Sequence, residues 1–321
     1  MKASYHLKYG PPEVLSVREI EKPVPKDNEL LIRVHAATVN RTDCGILGAS
    51  PIVLRFITGL LKPKLPVTGS DFAGEVEAVG SKVSRFKIGD KVWGFNDQGI
   101  SSHAEYMTIA EKQAILPLPT GFSYAQAAAS VEGAHYAYNF INKVKLQAGQ
   151  KAVVNGATGA IGSALLQLLK YHHIVVTAVC KSEHFETVKA LGADKVIDYT
   201  QEDFTRDTNQ YDYVMDAVGK STFSKCKRLL KNKGIYISSE LGPNNQNIFL
   251  PVITPLGGGK KVIFPFPISI EKSMDFISKL IEEGKFTPLI DERTFTLEEI
   301  REAFTYVGAG QKIGNVMLKV R

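Results

Sequence analysis

The chain has 321 residues, of which 44% are hydrophobic and 22% charged, and its net charge is +6. These figures describe an ordinary globular chain, long enough for two cores, and exclude a disordered or fibrous one. The cations are scattered without long runs, which argues against a nucleic-acid partner and suits an anionic small molecule instead. Cys44, Cys180 and Cys226 lie far apart and are odd in number, so no disulfide framework is expected and a reducing compartment is. Met1-Lys-Ala-Ser-Tyr-His6 leads into strand-like sequence without an apolar signal core. No apolar run reaches the ~18 residues of a membrane span. A cytoplasmic protein with no membrane span is the expectation.

Residues 1–125 read as mostly β. Leu30-Leu-Ile-Arg-Val-His-Ala36 is apolar apart from Arg33 and His35, and Gly74-Glu-Val-Glu-Ala-Val79 alternates as a half-buried strand does. Gly89-Asp90 turns into a strand at Lys91-Val-Trp-Gly-Phe95, and Pro117, Pro119 and Gly121 punctuate the exit from this half. Between them, the apolar stretch from Gly48 to Pro63 reads either as a flap over a hydrophobic ligand or as a surface loop with a buried apolar side.

From about 126 the pattern becomes α/β. Helical sequence from Tyr124 to Val144 leads to strands at 151–154, 174–179, 195–198, 211–216 and 234–239, with a helix predicted at 222–231. Strands alternating with helices predict a doubly wound parallel sheet covered on both faces. Residues 267–321 change style again: an amphipathic helix at 270–284, a capping box at Thr296-Leu-Glu-Glu299 and a closing strand at 313–320. A closing strand needs a sheet partner, so this tail is expected to rejoin the first 125 residues, making 126–266 an insertion.

The stretch Asn155-Gly-Ala-Thr-Gly-Ala-Ile-Gly162 carries the most chemistry. Its glycines at 156, 159 and 162 join a strand to a helix, where a backbone can approach a pyrophosphate and the helix N-terminus offers unpaired N–H groups. Gly156, Thr158, Gly159, Ala160, Ile161 and Gly162 are therefore candidate cofactor contacts. The alternative is a tight turn that binds nothing. At the end of the next strand, where an NAD site usually carries an acid, the chain has Cys180-Lys181-Ser182. Lys181 can neutralise a 2′-phosphate and Ser182 can donate to it, which points to NADPH. Glu183 keeps open the alternative of an ordinary solvated lysine.

Gly69-Ser-Asp-Phe-Ala-Gly-Glu-Val-Glu-Ala-Val-Gly80, followed by Phe86-Lys-Ile-Gly-Asp-Lys-Val-Trp-Gly94, resembles the signature of the medium-chain dehydrogenase/reductase superfamily. Asn40-Arg-Thr-Asp43 resembles the N-x-x-D segment of its zinc-independent quinone-oxidoreductase branch. The resemblance runs from Pro11-Pro-Glu-Val-Leu15 to Gly314-Asn-Val-Met-Leu318. It implies a GroES-like β domain completed by the tail, an inserted Rossmann domain, a cleft between them and a homodimer. It also implies that Tyr199 lies by the adenosine 2′-phosphate, that Ala217, Val218, Ser239 and Leu241 edge the cofactor, and that Phe264 or Phe266 lines its nicotinamide end. Asn315 stands where many relatives carry a lysine. Each of these residues could equally be strand-end packing.

In the zinc-dependent branch a Cys stands at the position of Asn40 and a His-Glu pair at Ser70-Asp71, so no metal is expected here. Without a Lewis acid, reduction of an electron-poor acceptor is the expected chemistry. Asn40 is the residue expected to position nicotinamide or acceptor, with a buried turn asparagine as the alternative. Tyr136 and Tyr5 are conceivable proton donors, although an aromatic in either place is as readily packing. The expected function is NADPH-dependent hydride transfer to a small electrophilic acceptor, a quinone or α,β-unsaturated carbonyl. A 2-enoyl thioester reductase and a non-catalytic NADPH-binding sensor or assembly protein are the alternatives.

Overall fold

The computed structural model describes residues 1–320. It divides into two compact units: residues 1–132, 270–282 and 290–321 form one, and residues 133–269 and 283–289 the other.

The first unit is built on Glu29–Val39, a long strand whose burial on both faces suits its mostly apolar sequence. It pairs antiparallel with Asp71–Val79, with Tyr106–Ala110 and, near its end, with the tail strand Asn315–Lys319 through Val39 opposite Val316. The sheet continues through Lys91–Phe95 to Ile115–Pro117 on one side and to Ile290–Thr296 on the other. Leu30, Ile32, Phe72, Val76, Val92 and Met107 form one core of this unit. A second forms where Ile300, Phe304 and Val307 pack on Val39, Leu47 and Val316. Each fully buried large apolar side chain contributes ~1.5–3 kcal/mol against exposure.

The second unit holds six strands, Lys151–Asn155, Val175–Cys180, Lys195–Asp198, Tyr211–Asp216, Leu230–Ser238 and Lys261–Ile263, all paired in parallel. Counted in chain order within the unit they lie 3-2-1-4-5-6. The order reverses between the first and fourth strands, which is where open α/β sheets place a dinucleotide. The α/β class with a β domain and a doubly wound parallel sheet is therefore as the sequence predicts.

Two local readings differ. The helical stretch after Tyr124 is two helices, Tyr124–Ala129 and Glu132–Ile141. The helix at 222–231 stops early: Phe223–Cys226 is helical, Lys227–Leu229 tightens to a 3₁₀ turn, and Leu230 already pairs with Tyr211. Sheet pairing outweighs helix propensity there, and the bend at Lys233, with φ of 62°, restores register before Ile235.

Candidate active site

The glycine turn leaves Lys151–Asn155 and enters the helix Ala160–Tyr171. Gly156 has φ of 81°, and a Cβ there would meet Val218 at 2.8 Å. At Gly162 a Cβ would come within 2.1 Å of the Gly156 carbonyl oxygen, so only glycine lets the helix pack on its own turn. Gly159 differs. Its φ is −71° and a Cβ would find only the Gly156 oxygen at 3.5 Å, an ordinary contact. The fold does not require glycine at 159. Gly159 is also the N-cap of that helix and supplies no side-chain cap, leaving the first N–H groups open to an anion.

Asp216, fully buried at the end of the fourth strand, organises the neighbouring loop. It accepts from Asn155 Nδ2 (3.0 Å), the Gly219 and Ser221 amides (both 3.0 Å) and the Tyr236 hydroxyl (3.2 Å). Ala217 and Val218 are thereby fixed beside the glycine turn. After the fifth strand Ser239 is half-buried, and its Oγ is buried without a hydrogen-bond partner among the described residues. Leu241 accepts from the Asn247 amide at 3.0 Å, and Phe264 meets the exposed Phe266 edge-on at 4.7 Å.

Cys180 and Asp198 are partners at the paired ends of the second and third strands. Lys181 and Ser182 therefore leave the sheet alongside Tyr199, and all three are exposed. Lys181 Nζ stands 3.6 Å from Glu183. Asp198, the buried acid that ends the third strand, is engaged by Thr200 and by Ser182. It accepts from the Thr200 hydroxyl (2.7 Å), the Thr200 amide (2.8 Å) and the Ser182 amide (3.1 Å), and these bonds, Thr200 first, hold its carboxyl below the usual range. Residues 156–162, 181–182, 199, 217–218, 239–241 and 264–266 thus all follow the carboxyl ends of parallel strands, along one edge of one sheet.

The first unit holds the other two predicted residues. Asn40 is 3% exposed and caps the helix Arg41–Gly48. Its Oδ1 accepts from the Asp43 amide at 2.9 Å while Asp43 accepts from the Asn40 amide at 3.1 Å, a reciprocal box. Asn40 Nδ2 donates to Ser70 Oγ (2.9 Å) and Asp71 Oδ2 (3.2 Å), so the amide is engaged inside its own unit. Asn315 is buried, opposite Ile290.

A buried polar cluster surrounds Asn40. Asp71 also accepts from the Thr38 amide (2.6 Å) and hydroxyl. Burial pushes its carboxyl up to about 7, against the pull of those bonds. Burial, reinforced by the charge of Asp71, raises Asp43 well above the carboxylate range. Glu132, buried and accepting from Thr42 Oγ1 at 3.0 Å, is raised by burial and drawn back by the charge of Lys312. His103 is lowered to about 4 by burial; its Nε2 donates to the Thr38 carbonyl (2.9 Å) and its Nδ1 pairs with Thr68 Oγ1 (2.8 Å).

Comparison with known proteins places this architecture. An alcohol dehydrogenase GroES-like domain model matches residues 26–134, and a zinc-binding dehydrogenase model matches residues 191–318. The chain is 30% identical to 2-methylene-furan-3-one reductase of Solanum lycopersicum over 99% of this chain and 79% of that protein. The chain belongs to the medium-chain dehydrogenase/reductase superfamily. Its quinone oxidoreductase-like members include the NADPH-dependent alkenal/one oxidoreductase, chloroplastic, of Arabidopsis thaliana, 30% identical with the same coverage of 99% and 79%. The quinone oxidoreductase structure from Coxiella burnetii superposes with a TM-score of 0.88 at 27% identity, covering 100% of this chain and 99% of that one. With the superfamily comes the enzyme class, an NAD(P)H oxidoreductase.

The superfamily's two bound groups fit this chain differently. A nicotinamide dinucleotide suits the strand-end edge: the cradle at Gly159 needs no glycine for packing, and Ser239 Oγ is a buried polar atom awaiting a partner. A catalytic zinc does not suit the cluster around Asn40. Both ring nitrogens of His103 are engaged, burial pushes the Cys44 thiol up to about 12, and no group of three or more His, Cys, Asp or Glu among the described residues is placed to hold a metal.

Sequence reasoning missed Asp216, Asp198, Glu132 and Lys312 as organising residues. Asp216 closes the strand Tyr-Asp-Tyr-Val-Met-Asp, so its place at a parallel strand end was a usable signal. Nothing local marks Glu132 or Lys312.

Proposed function

We propose that the chain is an NADPH-dependent reductase acting, without zinc, on a quinone or an α,β-unsaturated carbonyl. The observation that carries the reading is the group at the ends of the second and third strands, where Lys181, Ser182 and Tyr199 emerge together and Asp198 is engaged by Thr200 and the Ser182 amide. A 2′-phosphate meets a cation, a hydroxyl and an aromatic ring there, with the nearest buried acid already hydrogen-bonded. Residues 156–162 would hold the pyrophosphate, and Ala217, Val218, Ser239, Leu241, Phe264 and Phe266 the rest of the dinucleotide. When bound, the dihydronicotinamide supplies hydride; the protein's part is to bind, orient and exclude water. Asn40 acts as a positioning residue, holding the Arg41–Gly48 helix and the Ser70-Asp71 segment in one arrangement.

The named activities of the tomato, Arabidopsis and Coxiella relatives support an electron-poor acceptor. A homodimer is part of the reading. Lys261–Ile263 is an open sheet edge, and Val252, Ile253 and Leu256 are exposed just before it. Three free cysteines fit a reducing compartment, the cytoplasm in our reading, although the Arabidopsis relative is named chloroplastic. Among the described residues no helix is long and apolar enough to cross a membrane.

The test is NADPH consumption with a panel of quinones, short enones and an enoyl-CoA. Turnover of the first two classes supports the proposal, and preference for the thioester would move the substrate class. NADPH binding without turnover of any acceptor would make the chain a sensor or assembly protein instead.

A further inference from the structure

The segment from Pro51 to Leu65 presents Ile52, Phe56, Ile57, Leu60, Leu61 and Leu65 outward. Ile52 and Phe56 are each 74% exposed, Leu60 is 61% and Leu61 is 89% exposed, whereas a loop with a buried apolar side would turn them in. Contiguous exposure of this kind marks an interaction surface. The segment is a folded knob and not a slack strap. Ile52–Leu54 and Arg55–Thr58 are consecutive helical turns, and Gly59 has φ of 128° with no room for a Cβ beside the Lys62 carbonyl. Thr58 Oγ1 donates to the Leu54 carbonyl at 2.9 Å, Lys64 returns through its amide to the Thr58 carbonyl at 2.7 Å, and Tyr9 ties Thr58 and the Gly59 carbonyl at 2.8 and 2.7 Å.

Charge decides what such a knob meets. No Asp or Glu occurs from Cys44 to Ser70 or from Met1 to Pro12. The His6 amide donates to the Pro66 carbonyl at 2.8 Å, which sets the exposed Leu7 and Lys8 beside the knob. Lys8, Lys62 and Lys64 are exposed and form no ion pair among the described residues, Lys64 Nζ resting on the Ile57 carbonyl at 3.0 Å. A second copy docked face to face would set these like charges against one another. Apolar tips with lysines beside them suit a surface that is greasy within and anionic at its rim.

We propose that the Pro51–Leu65 knob, with Leu7 and Lys8 beside it, docks the protein on the surface of an anionic lipid bilayer. The aliphatic and aromatic tips enter the acyl boundary while the lysines stay among the headgroups. This goes beyond the reductase reading and does not depend on it, although a lipophilic acceptor dissolved in a bilayer would be reached from there.

The test is flotation of the full chain with vesicles of phosphatidylcholine alone or of phosphatidylcholine with phosphatidylglycerol, at low and high salt. Phosphatidylglycerol is expected to raise the bound fraction by about tenfold or more, and salt to reverse the gain. Lys62→Glu with Lys64→Glu should abolish the preference for anionic vesicles. Leu60→Asp with Leu61→Asp should cut binding to them about tenfold or more. Thermal melts of both variants at the wild-type temperature establish that they are folded. No phosphatidylglycerol-dependent flotation of the wild type would overturn the proposal, as would undiminished flotation of the lysine variant. A leucine variant that changes only oligomeric state would overturn it in favour of a second copy. NADPH titration of the same samples separates the readings: flotation without NADPH binding leaves docking standing and removes the reductase, and the converse removes docking alone.

Discussion

Replacing Lys181 by alanine should separate the two nicotinamide cofactors. The side chain is 51% exposed, and Glu183 at 3.6 Å competes for it. An ammonium donating to a phosphate in a dry site contributes ~1.5–3 kcal/mol, but exposed ion pairs measure only ~0.2–1 kcal/mol. The near-dianionic charge of the phosphate pulls toward the upper figure, while solvent and the glutamate pull toward the lower. A net of about 1 kcal/mol follows, so Lys181→Ala should raise the NADPH dissociation constant about fivefold. NADH, which lacks the 2′-phosphate, should bind nearly as before. Fluorescence titration of both cofactors into both proteins is the assay. Glu183→Gln supplies the opposite sign, since removing the competitor should tighten NADPH about twofold. Equal losses of NADPH and NADH on Lys181→Ala would refute the 2′-phosphate role, and so would a wild type with no preference between them.

The glycines of the turn divide by function. Gly159→Ala should fold with an unchanged melting temperature yet lose NADPH affinity by about tenfold or more, because its Cβ fits the fold and intrudes only on a ligand. Gly162→Ala, with a Cβ forced to 2.1 Å from the Gly156 oxygen, should destabilise the protein by about 1–3 kcal/mol, read as a lower melt without cofactor. A Gly159→Ala protein that binds NADPH normally would remove the cradle. Asp71 sets a pH signature. Burial raises its carboxyl to about 7, above the usual 3.8, so its stabilising contribution is complete below about 4 and lost as pH rises through 7. Asp71→Asn, which stays neutral, should therefore gain stability relative to the wild type between pH 4 and 7. The buried His103, lowered to about 4, pulls the other way but is common to both proteins. Paired melts showing a gap independent of pH would contradict this.

Local spacing carries much of the fold. Glycines at 156, 159 and 162 between an apolar strand and an apolar helix specify a turn whose geometry is settled within a few residues. The alternation of strand and helix that follows specifies a parallel sheet. The tail strand was legible for a similar reason, because an apolar run cannot end a chain with its edge bare. The helix at 222–231 was not: its shortening depends on Leu230 pairing with Tyr211, a partner no helical periodicity reports. The exposed knob at 51–65 was ambiguous because apolar composition gives no direction to a side chain.

By itself, then, the sequence determined the two architectures, the glycine turn between strand and helix and the lysine where an acid would be expected, all of which are encoded by neighbours in the chain. Only the tertiary structure decided that the Ser182 amide reaches Asp198, that Asp216 ties the first strand end to the fourth, and that Asp43, Asp71 and Glu132 share one buried cluster with His103. Those facts turn on burial and on contacts between distant segments. The charge state of a carboxylate follows from how much water the fold leaves it and which donors the fold brings to it, and neither is written at its own position.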